Sequence, residues 1–256
     1  MIFVRSGVFM ISFYLFLGGL ILGSFLNTCI HRLPRGESIV APASHCPNCG
    51  QRLGWLDLIP LAGFFLLRGR CRYCHKAISW RYPLVELVLG LLLVFFYFFL
   101  DSGMFLTATV VAALLVVVTC TDLEQGLIPD AIVLPALGTG ILFSLVSPSI
   151  TLANSLAGAL LGGGVLVAVA LLSRGGMGGG DIKLLAALGA WLGPRQVLLI
   201  LFLSFFLGGI GALGLLLLKI KARRDAIAFA PYIAAAVFIT LFWGEMLYDW
   251  YFRLWG

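Results

Sequence analysis

The sequence predicts an all-α polytopic membrane protein, with about eight transmembrane helices and a small cytoplasmic domain inserted between the first two. Three observations carry that class. Of 256 residues, 61% are hydrophobic and only 11% are charged, where a soluble domain carries roughly 25% charged and 45–50% apolar residues. The mean hydropathy is +1.08. The apolar residues also fall into blocks long enough to cross a bilayer, which takes about 20 residues. Charge this sparse cannot cover a water-exposed surface, so a soluble enzyme, a disordered chain and a disulfide-stapled secreted domain are excluded together.

The expected spans, in order, are Val8–Ile30, Pro83–Leu100, Phe105–Thr121, Ile128–Val146, Leu152–Leu172, Val197–Leu218 and Ala226–Trp243, with a shorter segment, Ile182–Leu192, completing the set of eight. The first is too long for a signal-peptide core and has no small-residue cleavage site after it. Pro83 and Pro129 stand where a first helical turn tolerates a missing N–H. The short segment opens after a Gly-rich turn and closes at Gly193-Pro194. Gly19 and Gly23, and again Gly158 and Gly162, lie four apart and read as places where helices approach closely.

The loops orient these spans. Of the 17 Lys and Arg, eight (Arg32, Arg35, Arg52, Arg68, Arg70, Arg72, Lys76 and Arg81) lie in the polar stretch after the first span. Arg174, Lys183, Lys219, Lys221, Arg223 and Arg224 join them if the spans alternate, leaving Arg5, Arg195 and Arg253 opposite. Basic residues collect on the cytoplasmic side, so both termini are expected outside and the polar domain inside. The net charge of +6 then reflects topology and anionic lipid headgroups. The basic stretch lacks the interleaved aromatics of a base-stacking surface, and no nucleic-acid partner is expected.

Within the polar stretch, Cys46-Pro-Asn-Cys49 and Cys71-Arg-Tyr-Cys74 are separated by 21 residues. Each CxxC sets two thiolates on one tight knuckle, and two knuckles make a tetrahedral S4 site suited to zinc. Four cysteines leave no open coordination position, so the metal is expected to be structural, bracing a zinc-ribbon-like domain (about residues 31–82) too short to fold on its core alone. Disulfides do not suit a reducing cytoplasm. His45 and His75 read as neighbours of the knuckles, His31 as an interface residue, and Cys29 and Cys120 as small buried hydrophobes.

Two carboxylates stand at span ends on the same face. Asp122 follows an uncharged run, and Asp181 follows Met177-Gly178-Gly179-Gly180. Ionisable groups inside spans are expensive and usually functional. Two nearby carboxyl groups do not easily ionise together, so one can take a proton from water while the other donates. Arrangement alone leaves open the plainer reading of each as a helix-end carboxylate. Lys183 reads as a snorkelling topology marker or an influence on the pair, Asp130 as a helix-start residue, and Glu124 as solvated.

Taken together these motifs resemble the bacterial type IV prepilin peptidases. The resemblance runs from Gly23-Ser24-Phe25-Leu26-Asn27 and His31-Arg32-Leu33-Pro34 through the four cysteines. It continues through Trp55–Leu61, Arg68–Cys71 and Ile78–Glu86 to Asp122, Ile128-Pro129-Asp130, the GxGD motif Gly178–Asp181 and Phe229-Ala230-Pro231, where Ala230 replaces the more usual Gly. The resemblance implies an aspartic endopeptidase of the bacterial inner membrane, with Asp122 and Asp181 as the catalytic pair and Gly178, Gly180 and Lys183 supporting the motif. It would cut the leader of prepilins and type II secretion pseudopilins after a glycine at the cytoplasmic face. Residues 101–256 would form the six-helix peptidase domain. Residues 1–100 would hold the metal domain and an N-methyltransferase region using S-adenosylmethionine as methyl donor, for which Glu37, Asp57 and Glu86 are the acidic candidates. A peptidase without methylation is the near alternative, and a non-enzymatic transporter or scaffold the distant one.

Overall fold

The computed structural model describes residues 2–173, 176–220, 222 and 227–255. Arg174, Lys221, Arg223, Arg224 and the expected span start Ala226 lie outside them. The chain divides into two compact units, Met1–Phe105 and Leu106–Gly256.

The first unit is built on two long helices, α1 (Ile2–Arg32) and α3 (Arg81–Phe99), with two 3-10 turns (Leu33–Arg35 and Trp55–Leu58) and the short helix α2 (Ala62–Leu66) between them. The glycines of α1 are where α3 crosses. A Cβ on Gly19 would stand 2.6 Å from the Gly90 Cα, and one on Gly23 the same distance from the Glu86 Cα. One turn further, the Asn27 Nδ2 donates to the Tyr82 carbonyl at 2.9 Å. Steps of four along both helices in opposite senses make an antiparallel pair, held close because neither glycine has a side chain to keep the backbones apart. Arg32, itself buried, donates to the Ser38 and Pro42 carbonyls at 2.9 and 2.7 Å, tying down the loop that leaves α1.

The second unit holds α4 (Ser102–Gln125), α5 (Asp130–Phe143), α6 (Leu152–Leu172), α7 (Gly179–Leu217) and α8 (Ala230–Trp255). Its core gathers Val111, Val118, Leu166, Leu188, Ile200 and Ile233. The long α7 is interrupted at Gly193, whose φ of 83° lies in the region only glycine enters freely. A Cβ on Gly162 of α6 would meet both the Leu185 carbonyl and the Val197 side chain. Those two residues would stand about 18 Å apart along a straight helix. The chain therefore turns back at Gly193-Pro194, and α7 is two membrane segments. Ser155 seals the same contact, donating to the Ala190 carbonyl at 2.8 Å.

Among the described residues, six helices are long and apolar enough to cross a membrane. With α7 counted as two segments and the shorter α5, the eight expected spans are present. The boundaries moved at several. α5 is 14 residues long, shorter than the expected Ile128–Val146, and Pro129 is its N-cap. α3 opens two residues before Pro83, so Glu86 lies in the second turn and not the first. α4 runs past Thr121 to Gln125, placing Asp122 inside its last turn.

Candidate active site and metal centre

In the first unit the two cysteine pairs form matching knuckles. The Gly50 N–H donates to the Cys46 carbonyl at 2.8 Å and the His75 N–H to the Cys71 carbonyl at 3.0 Å; Cys46 and Cys71 donate in turn to Gln51 and Lys76. Gly50 and His75, each four residues after the first cysteine of its pair, both adopt positive φ. Short antiparallel bridges, His45 with Arg52 and Arg70 with Ala77, close the knuckles. His75 thus occupies a turn position equivalent to a glycine's, and His45 directs Nδ1 to the Ala43 carbonyl.

These turns bring the sulfurs of Cys46, Cys49, Cys71 and Cys74 within 4.8 Å of one another, with Cys46 and Cys74 3.9 Å apart. Zinc–thiolate bonds of about 2.3 Å require tetrahedral edges near that separation, so the donor set fits zinc. Backbone N–H groups of Cys74 and Tyr73 that reach the Cys71 sulfur lower its thiol pKa to about 7, while burial and the neighbouring Cys46 and Cys74 thiols push that of Cys49 up to about 11.

The three acidic candidates of this unit differ in what engages them. The Asp57 Oδ1 takes both Nε and Nη2 of Arg72 at 2.9 and 2.7 Å, while its Oδ2 caps the Gly54 N–H. That carboxylate is 2% exposed and links the Trp55–Leu58 turn to the second knuckle. The Glu86 Oε2 accepts the Leu61 N–H at 2.8 Å, securing a residue at φ 59°. Glu37 is exposed on the turn after α1.

In the second unit, Asp122 meets the start of α8. Its Oδ2 accepts the Ala230 N–H at 3.0 Å. The first N–H groups of a helix have no partner one turn back, and the positive end of the helix dipole suits a carboxylate. Pro231 has no N–H to satisfy, and the Phe229 carbonyl takes those of Tyr232 and Ile233. Sequence reasoning passed over this contact because the donor is backbone; its one signal was the proline, which marks a helix start.

Asp181 is the third residue of α7 and lies within electrostatic range of Asp122. The geometry explains the glycines around it. A Cβ on Gly178 would stand 2.8 Å from the Asp181 Oδ2, and one on Gly180 2.6 Å from the Ile128 Cβ, while Gly179 has nothing within 4 Å. Gly180 leaves no room for a Cβ, one at Gly178 would displace the Asp181 carboxylate itself, and Gly179 has room for one. The Lys183 Nζ sits 2.8 and 2.7 Å from the two Asp130 oxygens, fastening the start of α5 to the start of α7. The Asp181 Oδ1 is buried with no hydrogen-bond partner among the described residues. Buried polar atoms are nearly always paired, and an unpaired carboxyl oxygen beside a second carboxylate can receive a reacting group.

Residues 17–100 match the family model described as the bacterial peptidase A24 N-terminal domain, and residues 109–213 match the type IV leader peptidase family. Both aspartates fall in the second range and all four cysteines in the first. A protein of Aeromonas salmonicida is 39% identical, covering 92% of each chain, and one of Bacillus subtilis is 36% identical over 94% of this chain and 97% of its own. A Klebsiella pneumoniae protein is 41% identical over 77% of this chain. All three are named prepilin leader peptidase/N-methyltransferase. No solved structure gives a significant match.

Proposed function

This chain, a multi-pass membrane protein, belongs to the type IV leader peptidase family, and on that premise we propose that it cleaves the leaders of prepilins and pseudopilins and methylates the amine that cleavage exposes. The observation that carries the proposal is the buried, unpartnered Oδ1 of Asp181 within range of Asp122. In this reading the two form an aspartic dyad. One carboxylate takes a proton from the attacking water while the other, protonated, gives its own to the scissile carbonyl oxygen; as the tetrahedral intermediate collapses, the first passes the proton it took to the leaving amine and the second takes one back from a hydroxyl of the intermediate. Ala230 orients Asp122, and the Gly178–Gly180 turn admits an extended substrate backbone beside Asp181. The cut falls after a glycine.

The basic residues of the loops support a cytoplasmic position for dyad and metal domain in a bacterial inner membrane. Residues 101–256 then carry proteolysis and residues 1–100 methyl transfer. Zinc held by Cys46, Cys49, Cys71 and Cys74 would brace the first unit. S-adenosylmethionine would supply the methyl group. With Asp57 and Glu86 engaged within the fold, Glu37 is the acidic candidate left at the surface to meet a substrate amine.

The test uses purified protein in lipid with a synthetic prepilin leader segment, with and without S-adenosylmethionine, read by mass spectrometry. Cleavage after glycine in the wild type, lost in both Asp122→Asn and Asp181→Asn, is the expected result, with a methyl group added to the product when the donor is present. Cleavage at the wild-type rate by either variant overturns the dyad.

A further inference from the structure

The metal domain contains a stretch that does not behave as part of a water-exposed domain. Leu58–Leu67 (LIPLAGFFLL) is ten residues without a charge. An apolar run of that length is a buried core helix, a signal-peptide core, or a re-entrant or interfacial segment. It lies between two spans and is no signal core. It is not buried either, since Phe65 is 61% and Leu66 74% exposed, with Trp55 just before them at 75%.

Two contacts set its depth. The Leu61 N–H is held by Glu86, in the second turn of α3, and the Phe64 ring packs on Trp80 with centroids 4.8 Å apart. Trp80 is the N-cap of α3 and is itself 63% exposed. The segment therefore runs beside the first turns of α3, where that span enters the bilayer and where tryptophans collect.

Its backbone is prepared for such surroundings. The N–H groups of Ala62, Gly63, Phe65 and Leu67 donate to carbonyls within the segment, Leu61 donates to Glu86, and Pro60 has none to place. Lipid tolerates only backbone satisfied in this way. The nearest acid, Asp57, is sealed in its pair with Arg72, while Arg68 and Arg70 follow directly and are exposed, at the level where anionic headgroups attract them.

We infer that residues 55–67 are a membrane anchor of the metal domain, inserting Trp55, Phe65 and Leu66 at the boundary of headgroups and acyl chains beside α3, with Arg68 and Arg70 on lipid phosphate. Through Asp57 and Arg72 the anchor is joined to the Cys71–Cys74 knuckle, so the metal site is held against the bilayer. The inference rests on the membrane location of the chain and not on its chemistry.

The test places the photocrosslinking residue p-benzoylphenylalanine at Phe65 or Leu66 in the full-length protein, reconstituted in vesicles of phosphatidylethanolamine and phosphatidylglycerol. Phe98, exposed on α3, serves as lipid-facing reference and Tyr73, exposed on the second knuckle, as solvated reference. Phospholipid adducts at 65 and 66 in a yield matching that at 98, and absent at 73, are expected. Adducts at 98 but not at 65 or 66 overturn the inference. So does an adduct joining two copies of the chain, which would make a second copy the cover of this face.

Discussion

In the first unit four cysteine sulfurs lie within 4.8 Å of one another, whereas in the second the Asp181 Oδ1 is buried without a partner among the described residues. Both groups stand in loops or helix ends shaped by glycine or positive φ, and both were visible in the sequence as short motifs. The difference lies in saturation. Two knuckles with the same backbone hydrogen bonds turn four sulfurs toward one another, and a metal held by all four would have no open coordination position, which is the mark of a structural site. Asp122 accepts the Ala230 N–H, while the Asp181 Oδ1 has no partner among the described residues, which keeps bonding capacity in reserve for a substrate.

The contrast breaks first at the dyad. Asp122→Asn and Asp181→Asn should each lower kcat/KM for leader cleavage by about 10²–10⁴, the range general acid–base groups supply, with zinc content and helical circular dichroism unchanged. A loss of zinc in either variant would mean that the two sites are not independent.

Gly180→Val comes next. It drives side-chain atoms into the Ile128 Cβ, which already stands 2.6 Å from the position of a Cβ, and overpacking of this kind costs about 1–3 kcal/mol. The expected outcome is a large fall in kcat with a lowered thermal midpoint, whereas Gly179→Ala, facing open space, leaves both near wild type.

Cys71→Ser should reduce bound zinc, measured by mass spectrometry of metals, and expose residues 36–79 to limited proteolysis. Leader cleavage should fall by much less than in the aspartate variants. Equal loss in both would assign the metal a part in the peptidase chemistry.

Lys183→Met is expected to act least. Its pair with Asp130 is 42% and 52% exposed, and such pairs contribute about 0–1 kcal/mol. A few-fold change in kcat, with KM unaltered, fits a residue that fastens two helix starts. A loss as deep as that of Asp181→Asn would place Lys183 among the catalytic groups.

Much of this organisation could be read before any coordinates. Leu152–Leu172 matches its expected span residue for residue, the Gly193-Pro194 break falls where the short segment was expected to end, and the tetracysteine set converges as its spacing required. These are features that a run of neighbouring residues settles alone: apolar length against bilayer thickness, the angles open to glycine, the reach of a CxxC turn. The glycine pairs in α1 and α6 were legible as points of close approach, although not what they approach. Lys183 shows the limit. Its charge was plain, but its partner Asp130 stands 53 residues away and was assigned to a helix start.

The sequence by itself determined that this chain spans a membrane about eight times, carries four cysteines spaced to hold a metal ion and has two aspartates at span ends. Only the tertiary structure decided which polar group answers which. Asp122 meets the N–H of Ala230, 108 residues on; Glu86 reaches back 25 residues to Leu61; and an apolar stretch inside the metal domain is laid beside α3. Hydropathy and turn chemistry act over a few residues, so they survive in the linear pattern. A hydrogen bond between distant backbone and side chain depends on which helices glycine lets come close, and that choice is made only when the whole core packs at once.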